Sequence, residues 1–114
     1  MNVFYFGGAW EVRDEYAIPR EPGAKIVYRY DASRVNLVMD AADRTAVAEI
    51  RLDGKPLGER ERGADVRMED GRSLVTVRGG RLYELVDTRG AYGQHLFEIE
   101  FRDSGVKAYA FTFG

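Results

Sequence analysis

The sequence predicts an all-β domain, an antiparallel β-sandwich of jelly-roll type with about nine to ten short strands. Three observations predict it. Apolar residues recur with a period of two in almost every segment. Turn residues fill almost every gap, with 13 glycines concentrated at the corners. No window of ten residues carries the i, i+3, i+4, i+7 stripe of an amphipathic helix. No linker, repeat or low-complexity block interrupts the pattern, so residues 1–114 read as one domain. A chain of this length buries roughly two-thirds of its unfolded surface without staples.

The elements follow in order. Val3–Phe6 is a short aromatic strand ended by Gly7-Gly8. Trp10–Ala17 places Trp10, Val12 and Tyr16 on one face against Glu11, Arg13 and Glu15 on the other. Pro19–Gly23 is expected to be a loop, because proline gives the ladder no N–H. Ala24–Tyr30 follows with Ile26, Tyr28 and Tyr30 in phase, and Asp31-Ala32-Ser33 turns into Val35–Met39. Asp40–Ala46 holds one helical turn at most.

Ala46–Asp53 alternates Ala46, Ala48, Ile50 and Leu52 with Glu49 and Arg51, then ends in Asp53-Gly54, a strong hairpin signal. Ala64–Met68, Leu74–Val77 and Arg81–Asp87 are separated by Glu69-Asp70-Gly71 and Gly79-Gly80. In His95–Arg102, Phe97, Ile99 and Phe101 oppose Glu98, Glu100 and Arg102, the mark of a half-buried strand. Asp103-Ser104-Gly105 is a tight turn. Val106–Phe113 is apolar on both parities, which predicts a central strand covered on both faces with Phe111 in the core.

Charge and composition exclude several functions. The net charge is −2 and both signs are interspersed, so no basic stripe exists to neutralise a phosphate backbone and nucleic acid is excluded as a partner. No apolar run approaches the roughly 20 residues that cross a bilayer, and the start (MNVFYFGGAW) lacks the charged region and cleavage site of a signal peptide. Direct membrane insertion is therefore not expected. The chain has no cysteine, which rules out disulfides, thiolate metal sites and thiol catalysis within it while leaving the compartment open.

No catalytic set emerges. His95 is the single histidine, no nucleophile elbow accompanies it, and it shares the parity of Phe97, Ile99 and Phe101. A strand-end histidine hydrogen-bonded to backbone outweighs a ligand contact there. The carboxylate clusters Asp14/Glu15, Glu59/Glu61, Glu69/Asp70 and Glu98/Glu100 fall on wet faces or turns, where charge serves solubility rather than glycoside hydrolysis. Asp65, Glu69 and Asp70 offer oxygen ligands, but their spacing matches no calcium loop. Neither a metal nor a cofactor is expected.

Aromatic rings are the feature able to carry recognition. Trp10, Tyr16, Tyr28, Tyr30 and Tyr109 lie in strand phases that suit a core. Tyr92 differs, standing in the loop Thr88–Gln94 between glycines and near Arg89, where no packing pattern explains it. Arg89, Tyr92 and His95 are the candidate ligand-binding residues, against the competing reading that Tyr92 anchors its own turn.

Several pieces in order then resemble one family: AKIVYRYDASRVNLVM (24–39), AEIRLDGKPLG (48–58), GADV (63–66), RLYELV (81–86) and HLFEIEFRDSGVKAYAFTFG (95–114). From about Trp10 to the last residue the chain resembles the C-terminal, carbohydrate-binding-module-like domain of DipZ-like, thioredoxin-like proteins. The resemblance implies a non-catalytic accessory domain whose partner, in cis or in trans, is a thioredoxin-like domain with the redox CxxC motif. Docking or substrate positioning would be its task. The alternative it implies is a carbohydrate-binding module for a cell-envelope or extracellular glycan. Attachment to a membrane-bound DipZ-like protein would place it outside the cytoplasm, and otherwise it would be cytoplasmic. No redox residue carries over to any position.

Overall fold

Two long antiparallel strands run through both sheets of this fold and set its shape. The computed structural model describes the backbone of residues 3–114 and side chains from Tyr5 onward, so Met1 and Asn2 of the expected domain lie outside the described residues. Ten strands and no helix occur among them. The long pair is β5 (Arg34–Leu52) and β8 (Arg72–Asp87), which pair in antiparallel register from Arg34↔Asp87 to Ile50↔Ser73.

One sheet runs β1 (Val3–Gly7), β4 (Lys25–Asp31), β9 (Gln94–Phe101), the second half of β5, the first half of β8, then β7 (Val66–Glu69). The other runs from the second half of β8 through the first half of β5 to β10 (Lys107–Phe113), β3 (Ala17–Pro19) and β2 (Trp10–Val12). β6 (Lys55–Pro56) folds back on Arg51 and Leu52 through the Asp53-Gly54 turn. The inner faces meet ring to ring: Phe97 with Phe111 at 5.7 Å and Trp10 with Phe101 at 5.6 Å. Ile26, Leu37, Met39, Ile50 and Ile99 fill the space between, essentially without solvent contact. Each such side chain contributes about 1.5–3 kcal/mol by leaving water. This is an antiparallel β-sandwich of jelly-roll type.

The corners explain how one strand serves two sheets. The β5–β8 register skips between Asp40 and Thr45, where Ala42 adopts φ 58° and its amide donates to Asp40 Oδ1 at 2.7 Å. Opposite, Gly79 turns at φ 63°, a conformation open to glycine at little cost. The bend leaves peptide groups off the ladder, and the buried Tyr83 collects them. Its hydroxyl accepts from the Arg78 amide at 2.8 Å and faces the carbonyl oxygens of Arg78 and Gly79 at 2.5 and 3.0 Å. Thus Asp40–Ala46 is an extended corner instead of a helical turn, and Gly79-Gly80 bends a strand that continues.

Three other expectations change. Trp10–Ala17 divides into β2 and β3, which pair with each other across the turn at 13–16, and Pro19 sits in β3 opposite Trp10. Proline fits there because β3 ends at that residue. His95–Arg102 and Val106–Phe113 are joined by the predicted turn yet do not pair, since β9 and β10 flank opposite halves of β5. β10 lies centrally but only its inner face is covered. Tyr109, at a bulge between Ala108 and Phe111, is 37% exposed, as is Phe113 at the strand's end, whose ring packs on Tyr28 and Tyr30, while Phe111 is half-buried.

The outer face of the first sheet is a charge ladder. The Arg51 guanidinium binds Glu98, and Glu100 at 2.6 Å, and lies 3.1 Å from Glu49. Burial alone would make Arg51 less basic, but the hydrogen bonds to Glu98 and Glu100 raise it above its ordinary value. Glu98 and Glu100 are therefore structural counter-ions.

Candidate functional site

Arg89, Tyr92 and His95 all lie at one end of the sandwich, but among the described residues no hydrogen bond joins any two of them. Arg89 takes φ 59° and is held by Asp87, whose carboxylate accepts its amide and its Nη1, both at 2.9 Å, while Nη2 reaches the Arg62 carbonyl at 3.3 Å. His95 Nδ1 sits 2.7 Å from Asp53 Oδ2 at the β5–β6 turn, and its ring lies beside that of Tyr30 at 5.9 Å. Its partner is thus a carboxylate rather than backbone. Burial would raise the Asp53 carboxyl, but hydrogen bonds from His95 and from the Leu96 amide override it and hold the group below the usual range.

The loop itself is pinned by Ser33, buried at the start of the second sheet. Ser33 Oγ accepts from the Gly90 amide at 2.9 Å and lies 3.1 Å from Thr88 Oγ1, which in turn reaches the Ala91 carbonyl at 2.6 Å. Ser33 and Thr88 do the anchoring. Tyr92 stands outside this network, 70% exposed, with neither a hydrogen bond nor a ring contact among the described residues.

At the opposite end, about 13 Å away along β4 from Tyr30 to Ile26, the sheets part to leave a cleft of about 180 Å³. Its mouth lies between β1 and the β2–β3 turn. Ile26, Leu37, Ala17 and Ala108 form a buried floor, and rings of Phe6, Tyr16, Tyr109 and Phe111 form walls. Arg13, Asp14 and Glu15 line the rim. Tyr16 and Tyr109 meet at 5.4 Å with planes inclined by 54°, and the Lys107 ammonium sits 4.8 Å from the Tyr16 ring centroid. Parity alone had assigned Tyr16 and Tyr109 to the core. The signal that separates them is positional: both stand beside the short β2–β3 hairpin, where the two sheets part and an inward side chain borders the cleft.

The acidic turn near β7 has other work. Asp65 accepts from Arg81 at 2.8 and 3.2 Å and from the Glu84 amide at 2.7 Å. The Arg81 hydrogen bond dominates over the opposing effect of burial and holds Asp65 below the usual carboxylate range. Among the described residues no group of three potential metal ligands gathers there or elsewhere.

A family model described as thioredoxin-like C-terminal domain matches residues 1–114. No curated protein matches the sequence. Among solved structures, the chain is similar to part of a family two carbohydrate esterase from Clostridium thermocellum in complex with cellohexaose, with 14% identity and a TM-score of 0.76 over 98% of this chain. A family two carbohydrate esterase from Cellvibrio japonicus gives 14% identity and 0.72 over 99%. The chain spans only 31% and 32% of those two chains. At this identity the likeness establishes the fold.

Proposed function

The chain belongs to the thioredoxin-like C-terminal domain family, and from that premise we propose that it is a non-catalytic accessory domain of a thiol–disulfide oxidoreductase. It would dock or position substrate while a separate thioredoxin-like domain performs the redox step. The family match over residues 1–114 carries this reading. The chain has no cysteine, so the exchanging dithiol must come from another domain. The test compares the thioredoxin-like domain alone with the same domain joined to this chain. An accessory role lowers KM for protein disulfides and leaves the dithiol's reduction potential unchanged. An unchanged KM sinks the proposal.

A second reading, a carbohydrate-binding module, is favoured by the ring-walled cleft and by the likeness to esterases, one of them solved with cellohexaose. Rings pack on the C–H faces of sugars while polar groups bind the hydroxyls. On this reading Tyr92, with Arg89 and His95 beside it in sequence, offers one surface and the cleft another. Saturable binding of any glycan by the isolated chain supports it, and its absence across a glycan array removes it.

A further inference from the structure

We propose that the cleft between β1 and the β2–β3 turn is an end-on receptor for the terminal pyranose of a glycan chain, an inference that rests on the carbohydrate-binding reading above. Size comes first. At about 180 Å³ the cleft is smaller than the roughly 300–1,000 Å³ of pockets that engulf drug-sized ligands, so it accepts one ring and not a run of them. It is also blind. The buried side chains of Ile26, Leu37, Ala17 and Ala108 close its inner end, so a polymer cannot thread through and only a chain end can enter.

The aromatic geometry agrees. An extended flat chain is bound by coplanar rings, whereas Tyr16 and Tyr109 form a wedge with 54° between planes. Their centroids stand 5.4 Å apart, so the two rings touch, and a sugar packs beside the pair on the part of Tyr109 that lines the cleft, where no flat platform for a chain exists. Tyr109 is delivered to the cleft by the β10 bulge, and Lys107 sits over the Tyr16 ring.

The polar groups select the ligand class. Asp14 and Glu15 carry no ion pair among the described residues, and Arg13, although paired with Glu11, is exposed beside them. The cleft therefore has an apolar floor and a rim holding both donors and acceptors, which matches a pyranose with its C–H face inward and hydroxyls outward. A wholly apolar occupant would desolvate the two carboxylates without giving them a partner. A simple cation would meet Arg13 at the mouth.

The experiment titrates the chain with oligosaccharides of one to six units in gluco, manno, galacto, xylo and N-acetylglucosamine series, to millimolar concentration, by calorimetry and amide chemical shifts. Wild type is compared with Tyr109→Ala, with the double variant Asp14→Ala/Glu15→Ala and with Tyr92→Ala. End-on binding gives an affinity that stays level from two units to six. It also gives about a tenfold loss in Tyr109→Ala and in the exposed double variant, with Tyr92→Ala unchanged. Affinity that climbs with chain length, or loss in Tyr92→Ala alone, overturns the cleft assignment and leaves the carbohydrate-binding reading standing. Absence of saturable binding in every series overturns both.

Discussion

Asp53 and His95 tie the β5–β6 turn to the start of β9: Asp53 Oδ2 lies 2.7 Å from His95 Nδ1, and its Oδ1 accepts the Leu96 amide at 2.9 Å. The Asp53 amide returns a bond to the Leu96 carbonyl at 2.8 Å, so one residue of a tight turn fixes the register of a neighbouring strand. Because the folded Asp53 carboxyl titrates below its unfolded value of about 3.9, its stabilisation is present above that pH and is lost as pH falls through the depressed value. Asp53→Ala should lower the urea midpoint at pH 7, and the gap to wild type should close as the pH falls below about 3.9. A gap that ignores pH would assign the effect to the turn backbone alone.

Gly63 passes so close to β8 that a side chain cannot fit. A Cβ there would stand 2.4 Å from the Glu84 carbonyl oxygen and 2.7 Å from the Leu85 nitrogen, both backbone atoms. Gly63→Ala should cost about 1–3 kcal/mol by forcing the covering loop off β8. Gly58→Ala is the control, since its Cβ would meet only the flexible end of Glu61 at 3.3 Å. Equal chemical denaturation midpoints for the two variants would contradict the contact.

Phe97 and Phe111 meet edge to face between the sheets, but only Phe97 is fully enclosed. Phe97→Ala should cost about 3–5 kcal/mol. Phe111→Ala should cost about 2 kcal/mol, because a half-buried ring loses less transfer energy and leaves no closed cavity. Reversal of that order would place β10 deeper than its exposure indicates.

Tyr92→Ala should leave stability within about 0.5 kcal/mol of wild type, as expected of a side chain that is mostly exposed. Thr88→Val and Ser33→Ala, by contrast, remove hydroxyls that hold the loop. Amide shifts spread over residues 88–93 in those two variants, and confined to the mutated site in Tyr92→Ala, are the expected pattern.

Local alternation was enough to locate β4, β9 and the Asp53-Gly54 turn, because both strands lie wholly within one sheet and have one dry face, whereas β7, an edge strand with only Val66 buried, was expected at Ala64–Met68 and runs Val66–Glu69. It failed at β5 and β8. There the glycines and short polar residues that usually end a strand instead bend it, and the residues that distinguish a corner from a turn, such as Tyr83 closing over Arg78, lie outside the local window. The same limit hid the cleft. Period two reports which side of a strand faces inward, but not whether the sheets close together or part there, so Tyr16 and Tyr109 carried the same pattern as Tyr30. The exposure of Tyr92 was legible because a large ring isolated between glycines belongs to no strand phase that would bury it.

Sharing β5 and β8 between the sheets leaves the domain no internal seam. Peeling either sheet away would pull on the other through the corners at Asp40–Thr45 and Gly79 that the two shared strands pass through, which couples their opening. A tether pulling on such a domain meets one cooperative body.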